Sequence, residues 1–244
     1  MLTPDETTTG VWRLLSLPAV YETFDALIGT RDVRRRFVQE YIRPVPGAHI
    51  LDLGCGPGTM LEHLPNIRYT GIDFNESYIV AAQKRYGNRG TFILGNVTEV
   101  DWGPDESFDV VVAFGLLHHV SDATAREVIP RVKLALKPEG RFVTLDPCFV
   151  KNQNIVARCL HKMDRGNHVR AVEGYLRLVN PAFRGITHKV AHDLHVVPST
   201  TLMMTCLPCD LMTHMRLDPQ VRARDRENPV RFPHSHEIPR SLST

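Results

Sequence analysis

The apolar positions of this chain change period near residue 44. Over residues 12–43 they recur at helical spacing. WRLLSLPAVYETFDALIG (12–29), interrupted by Pro18, predicts one or two short helices. RDVRRRFVQEYIR (31–43) sets Val33, Phe37, Val38, Tyr41 and Ile42 on one stripe of a further helix, and PVPG (44–47) stops it. Beyond that point, short apolar runs bounded by turn residues alternate with helical patterns. HILDL (49–53), RYTGID (68–73), TFILG (91–95), FDVVVAFG (108–115) and RFVTLD (141–146) predict strands. MLEHL (60–64), ESYIVAAQKRY (76–86) and DATAREVIPRVKLAL (122–136) predict helices. Asn75 suits an N-cap and Gly87 a terminator for the second of these, while Pro130 kinks or restarts the third. Val110–Val112 reads as strand covered on both faces, and KPEG (137–140) as a turn before the fifth strand.

Strands alternating with helices predict an α/β, Rossmann-like fold with a mostly parallel sheet. Right-handed crossovers bring the strand ends carrying Gly54, Asp73, Asn96 and Gly115 to one edge, where such sheets bind ligands. After Pro147 the pattern loosens. Residues 148–183 read as a variable region with a small helical lid, including a helix at EGYLRLVNPAF (173–183). ITHKVAHDLHVV (186–197) and TTLMMTCL (200–207) predict a C-terminal antiparallel hairpin. A single domain over 1–209, with helices at 12–43, and a tail or flap over 210–244 account for the chain.

Composition adds limits rather than identity. The chain has 244 residues, 43% hydrophobic and 23% charged, an ordinary soluble balance. No run approaches the roughly 20 apolar residues a membrane span needs, and MLTPDETTTG at the start has no basic leader region. The expectation is a cytoplasmic protein, monomeric or homodimeric, off the membrane. A net charge of +2 does not point to nucleic acid. Arg34, Arg35 and Arg36, and Arg222, Arg224 and Arg226, read as a solvated helix face and tail. The five cysteines include CLPC at 206–209, which lacks a second pair, so no metal is expected.

The candidate chemistry begins at LDLGCGPGT (51–59). Strand, glycine turn and helix together present free N–H groups to a ligand. No GK[ST] follows, which excludes a P-loop, and the spacing Gly54, Gly56, Gly58 is not that of a dinucleotide fingerprint. Asp52, just before the first glycine, would repel an anion there and suits a cationic or zwitterionic group, such as an amino-acid moiety with an ammonium and a sulfonium.

HILDLGCGPG (49–58) resembles motif I of the class I S-adenosylmethionine-dependent methyltransferases. GIDFNESYIVAAQKRY (71–86), FDVVVAFGLLHHV (108–120) and LKPEGRFVTLD (136–146) resemble the family's next segments, in the family's order. Residues 12–43 resemble the helices that cover the cofactor in small-molecule members, and beyond 147 the likeness is topological. The resemblance implies S-adenosylmethionine as cofactor. It places Asp73 on the ribose hydroxyls, Asp52, Gly54, Cys55, Gly56 and Gly58 around the methionine part, Phe74 and Val97 against adenine, and Phe114 beside the methionine moiety. Many members carry an acid after the third strand; Asn96 stands there, able to accept from the adenine amine or to cap the next turn.

Direct displacement from a sulfonium needs alignment and exclusion of water, with a base for some acceptors. His118 and His119, in the loop that borders the transfer position in this family, are the catalytic candidates. Arg165, His168, Arg170 and Tyr175 in the lid could clamp a carboxylate or phosphate, and Tyr21, Arg36 and His192 could face the same pocket. Each also has a plain structural reading as a solvated or packing residue. The expected function is methyl transfer to oxygen, nitrogen or carbon of a small molecule. The alternatives are an RNA or protein methyltransferase and a non-catalytic cofactor-binding protein.

Overall fold

A computed structural model describes residues 23, 29–164, 167–192 and 194–208. The expected helices within 12–28, the tail from 210, Tyr21 and Arg165 lie outside the described residues. The chain enters through α1 (Thr30–Phe37), which continues as a π-helical turn at Val38–Ile42. It then alternates between β1 (His49–Leu53), a 3-10 turn at Thr59–His63, β2 (Arg68–Asp73), α2 (Glu76–Tyr86), β3 (Thr91–Leu94), β4 (Phe108–Phe114), α3 (Asp122–Ala135) and β5 (Leu136–Phe149). α4 (Ile155–Lys162), the two-residue β6 (Arg170–Ala171) and α5 (Val172–Val179) make up the lid, and β7 (Gly185–His192) and β8 (Thr200–Leu207) form the hairpin.

The sheet order is β3-β2-β1-β4-β5-β8-β7, with β6 beside the end of β5. β1 to β5 run parallel, and β8 enters antiparallel between β5 and β7. Order reverses between β1 and β4, and that switch point opens a crevice at the carboxyl ends of the strands. Two apolar layers hold the sheet. One joins Leu51, Leu53, Val111 and Ala113 to α3 and α5. The other joins Ile50, Val110 and Val112 to α1, the 3-10 turn and α2. Alternate residues of β1 and β4 thus feed opposite faces, which is why Val110–Val112 is apolar throughout. Asn75 caps α2 through Ser77 and Tyr78 N–H, as its side chain suggested, and Pro130 sits inside a single helix rather than restarting it.

KPEG is not a simple turn between elements. Phe108 pairs with Leu136 and Val110 with Arg141, so a step of two residues on β4 spans five on β5, and the surplus bulges out. Arg141 emerges from this bulge with its guanidinium enclosed. It donates to the carbonyls of Tyr41 (3.3 Å), Ile42 and Arg43 (3.2 Å), the orphan acceptors at the end of the π turn. Burial lowers its pKa to about 10, still charged at neutral pH. Arg141→Met is expected to cost about 2 kcal/mol, because it leaves these carbonyls unanswered while keeping the apolar stem. A denaturant midpoint that does not move, at constant slope, would contradict this staple.

Candidate active site

The three glycines of the turn after β1 all have positive φ, at 71°, 54° and 76°, but they answer different demands. A Cβ on Gly54 would meet Leu116 at 3.1 Å, and one on Gly58 would meet the Phe92 ring at 3.0 Å and Tyr86 at 3.2 Å. Both positions are closed by packing. A Cβ on Gly56 would meet nothing within 4 Å among the described residues. Gly54 and Cys55 N–H both donate to the Ile72 carbonyl (2.8 and 3.0 Å), which pins the turn to the end of β2. Gly56 N–H donates to Asp73 Oδ2 and Asn75 N–H to Oδ1, each at 2.8 Å. Asp73 is therefore aimed by two backbone donors.

Asp52 is 2% exposed and lies on the α1 face of β1. Its Oδ2 accepts from the Tyr69 hydroxyl at 2.6 Å, while Oδ1 is buried without a hydrogen-bond partner among the described residues. Burial, above all, pushes its carboxyl up to about 7; the Tyr69 bond and the Arg34 charge act against that, and Asp73 adds to it. Arg34 is a correction to the sequence reading. It is buried rather than solvated, over the Phe114 ring at 5.4 Å, while Arg35 and Arg36 stay outside. Three consecutive arginines on a helix cannot all face one way. The Cys55 thiol, packed among apolar side chains, is pushed well up by burial and holds its proton.

Phe74 stands half-covered at the sheet edge. Asn96 Oδ1 accepts from Thr98 N–H at 3.1 Å, the turn-capping bond, and retains a second lone pair. Val97 belongs to the buried core, and its carbonyl is taken by Arg131. That position argues against Val97 as a surface for a ring.

The loop after β4 builds the other wall. Gly115 N–H donates to the Leu145 carbonyl at 2.7 Å. His118, 5% exposed, places both its backbone N–H (3.1 Å) and Nδ1 (2.9 Å) on Oδ1 of Asp146, a buried residue near the end of β5. Asp146 is 1% exposed; its Oδ2 has no hydrogen-bond partner among the described residues, and burial raises its carboxyl. His118 Nε2 lies 3.5 Å from Asp164 Oδ1, and the His119 ring centroid is 4.1 Å from that of His118. His118, His119 and Asp164 each offer a ligand atom within 4.8 Å of the others'. The sequence reading had no metal here, and Asp146 and Asp164 were missing from it. The strand-end position of Asp146 was the available signal.

The lid residues have different partners from those expected. Arg170 donates to the carbonyls of Leu117 (2.6 Å), Val120 (2.8 Å) and His168 (3.0 Å), and pairs with Asp122 at 2.7 Å. Its guanidinium holds the Asp122 carboxyl below the usual range. Its fork is thus spent on the histidine loop, not offered as a clamp. Tyr175 is fully buried and donates to the Pro147 carbonyl at 2.9 Å, which removes it from the cleft. His168 joins the loop through its backbone N–H, on the His118 carbonyl at 3.1 Å. His192 ends β7 at the same sheet edge, exposed, with Nδ1 3.2 Å from Thr200 Oγ1. Arg36 lies 3.8 Å from Glu40 and lines a small cavity of about 40 Å³ between α1 and the β7–β8 flank.

Residues 50–140 match the family described as a methyltransferase domain. A trans-aconitate 2-methyltransferase of Variovorax paradoxus is 33% identical over 131 residues, covering 50% of this chain and 46% of that protein. A ubiquinone/menaquinone biosynthesis C-methyltransferase of Desulfotalea psychrophila is 32% identical over 147 residues, covering 53% and 58%. The chain thus spans about half the length of the curated relatives it matches. Among solved structures, phosphoethanolamine N-methyltransferase 2 of Haemonchus contortus in complex with S-adenosyl-L-methionine superposes with a TM-score of 0.69 at 13% identity, over 85% of this chain and 61% of that one. This likeness concerns the fold alone. With the ordered strand ends and the glycine turn, the sequence matches make residues 50–140 similar to a methyltransferase domain.

Proposed function

We propose that the chain transfers a methyl group from S-adenosylmethionine to oxygen, nitrogen or carbon of a small-molecule acceptor. One observation carries the reading: among the described residues, a Cβ on Gly56 would meet nothing within 4 Å, beside an oriented Asp73 and an Asp52 whose buried Oδ1 has no hydrogen-bond partner there. Those features suit a nucleoside diol and an ammonium group respectively, and neither suits a phosphate. When bound, the cofactor supplies a methyl already activated by its sulfonium. The chain then has to hold, align and shield. Asp73 would accept from the ribose hydroxyls, Asp52 would face the ammonium, Asn96 would accept from the adenine amine, and Phe114 with Leu116 would wall the methionine part.

His118, His119 and His168 would face the acceptor, with Arg170 positioning their loop. A carboxylate- or phosphate-bearing acceptor is in keeping with the names of the relatives, trans-aconitate and phosphoethanolamine methyltransferases. Titration of the purified chain with S-adenosylhomocysteine tests the donor site, and absence of saturable binding would end the proposal. Labelled-methyl transfer into a metabolite extract tests the acceptor class; label found only in RNA or protein would replace it.

Gly56→Ala sharpens the assignment. A φ of 54° costs alanine roughly 1 kcal/mol, so the variant should fold. Its Cβ would enter the space reserved for the ligand, and affinity for S-adenosylhomocysteine should fall by at least about tenfold. Unaltered affinity would mean the donor does not approach this backbone.

A further inference from the structure

We propose that His118, His119 and Asp164 bind one divalent transition cation, of the zinc class, at the mouth of the cleft. The donor set is two imidazoles and one carboxylate, three protein ligands that leave a coordination position open. Their spacing fits the purpose. The 3.5 Å between His118 Nε2 and Asp164 Oδ1 is long for a hydrogen bond. It is close to the edge of a tetrahedron with metal–ligand bonds of about 2.0–2.1 Å, roughly 3.3 Å. The widest separation, within 4.8 Å, closes with a small swing of the partly exposed Asp164 or His119.

Asp146 supplies what such a histidine needs. Its Oδ1 accepts from Nδ1 of His118 and from the same residue's backbone N–H, fixing the ring from behind. A proton kept on Nδ1 by that carboxylate leaves the Nε2 lone pair toward Asp164, the carboxylate–histidine–metal arrangement. Arg170 then fixes the backbone on both sides of the pair through the Leu117 and Val120 carbonyls. The His118 ring and its loop are therefore held by bonds that do not require the cation.

Leu116, two residues before His118, abuts the Gly54 turn, which sets the cation beside the proposed methyl-donor loop. The open position would take an oxygen of the acceptor and hold it in line. This role rests on the methyl-transfer reading; binding of the cation does not.

The test uses the full chain after chelation, titrated with zinc chloride by calorimetry and with cobalt chloride by visible absorption. One equivalent should bind, with cobalt d–d bands. Asp164→Asn and His119→Gln should each weaken binding by at least tenfold, and Asp146→Asn by about 10–100-fold. Asp164 is partly exposed, so its variant keeps the fold. No stoichiometric uptake would overturn the proposal. Equal uptake in Asp164→Asn and His119→Gln would overturn it too, placing the cation elsewhere. S-adenosylhomocysteine binding, measured on the chelated protein, reports the donor site separately.

Discussion

Asp73→Ala is expected to lower affinity for S-adenosylhomocysteine by about 100-fold, close to 3 kcal/mol. Two losses combine. The ribose hydroxyls would lose a charged acceptor, with each such bond worth roughly 1.5–3 kcal/mol. The Gly56 and Asn75 N–H groups would lose theirs as well, so the turn itself would be less well set before binding. Asp73→Asn separates the parts, because an amide oxygen can still accept one backbone N–H while its NH₂ cannot accept at all. Calorimetry on variants with an unshifted melting transition is the measurement. A folded Asp73→Ala protein that binds as tightly as the parent would remove Asp73 from the donor site.

The second large effect concerns pH. Asp52 titrates at 3.8 in its ordinary state and about 7 in the fold. Between these values the native state keeps a proton that the unfolded chain has released. Stability is therefore fully present below about 4, falls as pH rises, and is lost through about 7. The whole swing is at most about 4 kcal/mol, from roughly 1.4 kcal/mol per unit. Burial outweighs the Tyr69 hydrogen bond and the Arg34 charge, and Asp73 acts in the same direction as burial. Asp52→Asn mimics the neutral acid and can still accept from the Tyr69 hydroxyl. Its melting temperature should exceed the parent's at pH 8 and approach it at pH 4. Parallel curves for the two proteins would show that Asp52 does not carry this dependence. An ammonium beside Asp52 would favour its charged form, so donor binding near pH 7 should release protons, readable from calorimetry in two buffers of different ionisation enthalpy.

The parts of the site that could be read in the sequence are local. Gly54, Gly56 and Gly58 declare a special backbone by their identity, and Asp73 is found by counting to the end of a short apolar strand. The alternation of strand and helix fixes which ends share an edge. What escaped reading is tertiary. Asp146 reaches His118 from the neighbouring strand, and Arg170 reaches Leu117 across the lid; no spacing announces either pair. Arg170 and Tyr175 lie in the variable lid, where the sequence offers them as a clamp for a carboxylate or phosphate. The fold instead used those groups on buried carbonyls, which cost more to leave unsatisfied than an exposed side chain does. Arg34 was hidden in a triplet whose composition suggests solvent, although helical periodicity turns one of the three inward.

The staple made by Arg170 also bears on how such a domain can be exchanged between proteins. One guanidinium serves carbonyls from the lid and from the loop after β4, and an acid at the start of α3. A lid transplanted from a relative without an arginine at this place would strand the Leu117 and Val120 carbonyls and release the loop that carries both histidines. Lid and histidine loop therefore form one inheritable unit, and a chimera that changes acceptor preference should cross over outside both.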